Sequence, residues 1–232
     1  MLVLVLDTSS AAVLAAVAEV TPDAVEIRAE RMTVNAKAHG ELLAPSIADC
    51  LDEADAKPRD LAAIVAGLGP GPFTGLRVGL VTAAAMADAL HVPSYGVCSL
   101  DGIAGRYDDG GGWSSAPPDV DRGPMLVVTD ARRKEVYWAA YRDGHRVEGP
   151  AVCRPDDLPS GRVAVGAGAV MYADLLRSKG IPIFPEEYPS AGALVRCAAE
   201  RVRGGAPSEQ LVPLYLRRPD AVPPGAAKTV SQ

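Results

Sequence analysis

The sequence predicts an α/β fold built from two successive units, each a mixed sheet with helices. Three observations carry this. Short β-prone apolar runs open both halves, stretches with helical spacing follow in each, and a segment rich in Asp, Gly, Ser and Pro from Asp108 to Gly123 separates them. No sequence repeat links the halves, so the duplication is read from the order of elements alone. The expected division is an N-terminal domain over 1–107, a second over 108–218, and a disordered tail over 219–232, where Pro and Gly abound and little can be buried.

Taken in order, Leu2 to Leu6 is a continuous strand-like run, ended by the turn formers Asp7-Thr8-Ser9-Ser10. Ala11 to Val20 and the alternating Val25 to Met32 complete a three-stranded meander. From Gly40 the period changes: Leu42, Leu43, Ile47 and Leu51 fall at helical spacing among His39, Glu41, Asp49 and Glu53. Leu61 to Ala66 is a short strand running into Gly67-Leu68-Gly69-Pro70-Gly71-Pro72-Phe73-Thr74-Gly75-Leu76-Arg77, and a helix follows from about Thr74 to Leu90. Its Ala83, Ala84, Ala85 and Ala87 leave room for another helix to approach closely. Val92 to Val97 is a strand, and Ser99 is placed to cap the short helix after it. The second half repeats the scheme. Strands are expected at Met125 to Thr129, Val136 to Tyr141, Arg146 to Cys153 and Val163 to Val165, with turns at Ala131-Arg132-Arg133-Lys134 and Asp143-Gly144. A helix near Val170 to Arg177, a run at Ile181 to Phe184 and a helix near Ala191 to Arg203 close it.

An apolar fraction of 48% against 22% charged residues is ordinary for a globular chain, and 232 residues bury a substantial core. A net charge of -6 gives no global positive field to hold nucleic acid, so any RNA contact is local or supplied by a partner. Cys50, Cys98, Cys153 and Cys197 are scattered without a C-x-x-C pair and read as small buried apolar residues. The N-terminus lacks a basic region and Asp7 interrupts it, and Val78 to Ala87 is too short to span a bilayer, so a cytoplasmic protein without membrane contact is expected.

The strongest chemical signal is the Gly-rich loop between strand and helix. Its glycines permit close backbone approach, Thr74 can cap the helix, and a helix N-terminus offers free N–H groups to an anion. The loop is not a Walker A motif, since no Gly-Lys-Ser/Thr follows, and no acidic residue ends a matching strand to complete a dinucleotide fingerprint. A tight structural turn and a phosphate cradle both remain open. Asp7, Thr8 and Ser9, with Gly69, Gly71 and Gly75, are the candidate anion or nucleotide contacts. His39 has no second ligand at helical spacing, which argues against a metal. Ser99 and Ser115 lack a nucleophile elbow, which argues against a serine hydrolase. Arg132-Arg133-Lys134 reads as a solvated basic turn, with an anion or RNA contact the minority alternative.

In order along the chain, Asp7-Thr8-Ser9, His39-Gly40-Glu41-Leu42-Leu43, Gly69 to Arg77, Val97-Cys98-Ser99-Leu100, Asp130-Ala131-Arg132-Arg133-Lys134-Glu135-Val136-Tyr137 and Pro213-Leu214-Tyr215-Leu216-Arg217 resemble the TsaB (YeaZ) family. The resemblance runs from Leu2 to Arg217, with Gly40 and Pro72 standing where members usually carry Ser.

It implies a two-domain actin/Hsp70-like (ASKHA) fold and a part in making N6-threonylcarbamoyladenosine at position 37 of tRNAs that read codons beginning with adenosine. It also implies a TsaD-type catalytic paralogue and a TsaE-type ATPase as partners, with metal and ATP or ADP on those subunits and tRNA met through the complex. TsaD holds its metal through H-x-x-x-H. Aligned by eye, those positions fall at Ser99 and Ile103 here, and Ile103 cannot ligate a metal. No catalytic residue, metal or intrinsic cofactor is therefore expected. The implied contact with the paralogue uses the two N-terminal helices, through His39, Glu41, Leu42, Leu43, Thr74, Arg77, Val78, Val81, Ala84 and Ala85, and a homodimer is expected when the partner is absent. The alternative is an autonomous actin-like ATPase or small-molecule kinase. Asp7-Thr8-Ser9 and the Gly-rich loop favour it, and the second half offers only Gly166-Ala167-Gly168 where a D-x-G-x-T loop would stand. A metallopeptidase would need an H-E-x-x-H motif, which the sequence lacks.

Overall fold

A computed structural model of the chain describes residues 1–109, 124–142, 144–161, 163–185 and 187–217. Ser115 and most of the predicted boundary loop, Asp143 of the predicted turn, and the tail 219–232 lie outside the described residues.

The first sheet contains β1 (Leu2–Asp7), β2 (Ala12–Val20), β3 (Val25–Val34), β4 (Leu61–Gly67) and β5 (Ser94–Val97) in the order β3-β2-β1-β4-β5. β1, β2 and β3 form an antiparallel meander, while β4 and β5 run parallel to β1. The second sheet contains β6 (Met125–Asp130), β7 (Val136–Arg142), β8 (His145–Cys153) and β9 (Val163–Val165) in the order β8-β7-β6-β9. Its meander is again antiparallel and β9 again pairs parallel with the first strand of its unit. The duplication expected from element order is thus present in pairing and direction. Ile181 to Phe184 contributes only a single bridge, Ala164 to Ile183. The helix expected near Val170 is two short ones, α4 (Ala167–Met171) and α5 (Ala173–Ser178).

Helices and sheets stack in alternating layers. On the outer face of the first sheet, Leu4, Leu6, Val13, Val17 and Ile64 meet α1 (His39–Glu53) and α2 (Phe73–Leu90) through Leu43, Ile47, Cys50, Leu76, Leu80 and Ala83. The opposite face, with Val3, Val5, Leu14, Ala16, Val65 and Tyr95, is covered by α6 (Ala191–Arg203) through Leu194, Val195, Ala198 and Val202. Burial on both faces explains why β1 reads as an unbroken apolar run rather than an alternating one. α3 (Ser99–Asp109) crosses to the second sheet, where Leu100, Ile103 and Ala104 pack on Met125, Val127, Ala139 and Val165. Each unit therefore lends a helix to the other's sheet. α3 and α6 touch at the centre, where a side chain at Gly105 would place its Cβ 2.8 Å from that of Ala193.

α2 is 18 residues long and, by length and composition, apolar enough to cross a membrane. Its Gly75, Leu76, Gly79, Leu80, Ala83 and Ala87 form one stripe buried against this chain's own core. Each fully buried leucine there contributes roughly 1.5–3 kcal/mol. After α6 the chain runs without regular structure but is tied down. Glu209 N–H donates to Ser94 O and Leu214 N–H to Leu68 O, both at 2.8 Å, and Arg217 reaches Ala131 O at 3.0 Å.

Candidate functional site

The Asp7-Thr8-Ser9 turn and the Gly-rich loop, the two candidate phosphate contacts, are packed against each other. Thr8 Oγ1 donates to Gly75 O at 2.8 Å and accepts from Gly79 N–H at 2.9 Å. It thereby contacts two backbone groups that stand four residues apart in α2. Side chains at Gly67 or Gly71 would collide with the Asp7 carboxylate or the Ser9 carbonyl, and a Cβ at Gly79 would lie 2.5 Å from Thr8 Oγ1. Asp7, Thr8, Ser9, Gly69, Gly71 and Gly75 are all buried. Their hydrogen-bonding groups and their space are largely spent on one another, as a tight structural turn requires. Thr74 departs from expectation: Pro72 is the N-cap of α2, no side chain caps it, and Thr74 is exposed in the first turn.

The Asp7 carboxylate sits at the centre of this lock. Oδ1 accepts from Ser9 N–H at 2.9 Å and Ser9 Oγ at 2.7 Å, while Oδ2 accepts from Ser99 Oγ at 2.5 Å. Complete burial pushes the Asp7 carboxyl above its ordinary range, with the Ser99 and Ser9 hydrogen bonds pulling the other way. Ser99 Oγ in turn accepts from Gly69 N–H at 3.1 Å, so this hydroxyl joins β1 to the Gly-rich loop instead of capping α3. Ile103, one turn along α3, is 1% exposed in the second core. His39 is buried as well, its Nε2–H donating to Ser10 O at 2.8 Å and so fixing the start of α1 to the β1–β2 turn. Cys50 and Cys98 are buried, and burial pushes both thiols to about 11, whereas Cys153 is half-buried and Cys197 exposed, against the expectation of four buried cysteines.

The proposed partner-facing residues divide by exposure. His39 and Leu43 lie inside the chain and seat α1; they offer no surface to a partner. Leu42 and Val78 are half-buried, while Glu41, Thr74, Arg77, Val81, Ala84 and Ala85 are exposed on two adjacent helices. Val81 is 65% exposed, and the small Ala84 and Ala85 one turn on let a second helix approach closely there.

Between the two sheets lies a cleft of about 430 Å³. Ser9 and Ser10 line it from one unit, Thr129, Asp130 and Arg132 from the other, and Pro70, Leu100, Ile103, Val170 and Met171 make much of the wall. Asp130 is occupied, accepting from Arg132 N–H at 2.7 Å and facing the Arg132 guanidinium at 3.4 Å. Thr129 Oγ1 is buried without a partner. Among the described residues no group of three or more His, Cys, Asp or Glu side chains is placed to hold a metal ion.

One cluster had no warning in the sequence. Phe73 stacks on Tyr215 with ring centroids 5.2 Å apart, the Arg77 guanidinium lies 3.7 Å over the Phe73 ring, and Arg77 Nε donates to Tyr215 Oη at 2.9 Å. The motifs holding these residues are far apart in the chain, and only the path of the segment after α6 brings them together.

The family profile described as "TsaD: tRNA N6-adenosine threonylcarbamoyltransferase" matches residues 29–169. An uncharacterised protein of Mycobacterium leprae is 45% identical over 222 residues, which is 96% of this chain but only 56% of that protein's length. The Escherichia coli "tRNA threonylcarbamoyladenosine biosynthesis protein TsaB" is 30% identical over 207 residues, covering 80% of this chain and 86% of that one. The solved structure of YeaZ from Pseudomonas aeruginosa superposes with a TM-score of 0.73 at 26% identity, covering 92% of this chain and all of that one. Two mixed sheets of matching order, the covered Gly-rich loop and these likenesses together place the chain in the actin-like (ASKHA) class, and it belongs to the TsaB (YeaZ) family.

Proposed function

We propose that this chain is the non-catalytic scaffold subunit of a complex that transfers threonylcarbamoyl to N6 of adenosine 37 in tRNAs reading codons that begin with adenosine. The observation that carries the reading is the use made of the two positions aligned with the metal histidines of TsaD. Ser99 holds the Asp7 carboxylate and Ile103 fills a core, so both serve packing. The interlocked Asp7-Thr8-Ser9 turn and Gly-rich loop support the same reading, because the groups that would grip a nucleotide bind each other. They weigh against the autonomous ATPase or kinase alternative.

In this reading the exposed side of α1 and α2, with Glu41, Thr74, Arg77, Val81, Ala84 and Ala85, packs on a TsaD-type paralogue. The same strip pairs two copies when the paralogue is absent. Metal, ATP and ADP belong to the paralogue and to a TsaE-type ATPase, and the complex works in the cytoplasm. Reconstitution tests the proposal. Threonylcarbamoylation of unmodified tRNA by the paralogue and ATPase is expected to require this chain and to survive Ser99→Ala with the complex intact. Full-rate modification without this chain refutes it.

A further inference from the structure

The turn Arg132-Arg133-Lys134 has a backbone that its side chains do not explain. All three residues have positive φ, 63°, 53° and 62°. Left-handed backbone costs an L-residue with a Cβ roughly 1–2 kcal/mol, and Gly or Asn would adopt it more cheaply. Here three consecutive long cations occupy it. The conformation is held from both sides: Ala131 N–H donates to Glu135 O at 3.0 Å, Arg132 N–H to Asp130 Oδ1 at 2.7 Å, and Arg217 clamps Ala131 O while pairing with Glu135. All three side chains are exposed.

The turn is not isolated. Arg132 shares a cavity of about 180 Å³ with Lys37, Thr74 and Val78 at the start of α2. Arg217 leads two residues back to Tyr215, which stacks on Phe73 under Arg77. Lys37 and Arg132 thus share one cavity and Arg217 ties the turn to the Tyr215 segment, in a chain whose net charge is -6; Asp130 pairs with Arg132 and Glu135 with Arg217. Phe73 and Tyr215 keep 52% and 41% of their surface open. Cations that track a phosphate backbone beside partly exposed aromatic rings are the combination that holds unpaired nucleotides.

We infer that this chain itself binds RNA, with the Arg132–Lys134 turn and Lys37 on backbone phosphates and the Phe73–Tyr215 pair stacking an unpaired base. This rests on the function proposed above and deepens it by giving the scaffold subunit its own contact with the tRNA. The turn is a preset cationic grip, so the strain is met in folding instead of at binding.

The test uses the complex of this chain with its paralogue, unmodified tRNA as the probe, and fluorescence anisotropy across a salt series, with gel filtration reporting assembly. Arg133→Gln with Lys134→Gln is expected to weaken binding and to reduce the slope of log K against log salt by between about one and two. Tyr215→Leu is expected to weaken binding about five-fold or more, with Tyr215→Phe restoring it, because the ring and not the hydroxyl stacks. Unchanged affinity and slope in the double variant overturn the inference. So does loss of assembly in place of RNA binding, which would give the turn to a protein interface. If the wild-type chain does not assemble with the paralogue, the proposed function fails, and the same salt series on the chain alone decides the RNA contact.

Discussion

Gly79→Ala is the substitution in which helix propensity and packing predict opposite signs. In the interior of an ordinary helix, replacing Gly by Ala stabilises by about 1 kcal/mol. In α2 the new Cβ would stand 2.5 Å from Thr8 Oγ1, and ordinary contact begins near 3.4 Å, so the neighbour must yield by 0.9 Å. Thr8 is poorly able to yield, because the same oxygen is bonded to Gly75 O at 2.8 Å and Gly79 N–H at 2.9 Å. Overpacking costs about 1–3 kcal/mol and each lost hydrogen bond about 0.5–1.5 kcal/mol, which outweighs the propensity gain. The expected net destabilisation is about 1–4 kcal/mol, a fall of several degrees in Tm for a chain of this length. Thr8→Ala removes the obstructing oxygen and with it both of these hydrogen bonds. In the double variant Gly79→Ala is therefore expected to cost at least about 1 kcal/mol less than it does alone. Gly40→Ala supplies the control, since no atom lies within 4 Å of its added Cβ, and it is expected to stabilise by about 0.5–1 kcal/mol. Urea unfolding of the four members of the cycle at matched m-values measures each term. Gly79→Ala as stabilising as Gly40→Ala, or a cycle additive within about 0.5 kcal/mol, would refute the interlock.

Gly105→Leu is expected to destabilise by several kcal/mol, because its Cβ would press within 2.8 Å of Ala193 where α3 and α6 cross, and thermal unfolding checks it. A fragment ending at Asp109 is expected to expose the Val3, Val5 and Leu14 face that α6 covers and to lack cooperative unfolding; a sharp transition would show that the first unit stands alone. Because burial raises the Asp7 carboxyl in the fold, the folded state binds its proton more tightly than the unfolded chain. Stability from this group is thus present at low pH and lost as pH rises above its ordinary value of about 3.8 towards the folded value, and Asp7→Asn is expected to flatten that part of the curve. Denaturant midpoints from pH 4 to 7 decide it, and identical slopes for the two proteins would count against a raised value. Ala85→Arg, exposed on α2, is expected to leave unfolding unchanged while abolishing co-elution with the paralogue; retained assembly would move the interface elsewhere.

The sheets were legible because local pattern sufficed. Leu2–Asp7 and Met125–Asp130 are continuous apolar runs since each is the strand covered on both faces, and His39–Glu53 showed its buried stripe through Leu43, Ile47 and Leu51. The Ala-rich second segment folds as the strand Ala12–Val20 despite its composition, because eight of its nine residues are buried and small side chains let helices lie close on both faces. What local pattern did not give was the exchange of α3 and α6. Amphipathicity says that a helix has a partner face, not which sheet supplies it, and here the partner lies across the unit boundary in both cases.

The same limit applies to the anion candidates, for which the sequence left a tight turn and a phosphate cradle open. Glycines before a helix and hydroxyls after a strand each describe a phosphate contact when considered singly, and the sequence presents them singly, some 60 residues apart. In the fold Thr8 reaches Gly75 across 67 positions and Ser99 reaches Asp7 across 92, so each candidate is the other's ligand. Satisfied donors and missing space are properties of pairs, and here they form a joint between β1 and α2. The joint has a consequence for the surface. Gly75 and Gly79 face the turn on one side of α2, and Arg77, Val81, Ala84 and Ala85 are left on the other. With the first turn of the helix fixed by Thr8, the direction in which that outer strip points is set by the first strand of the chain. Under the proposed scaffold role a docking face held in one orientation is what this joint between β1 and α2 would supply.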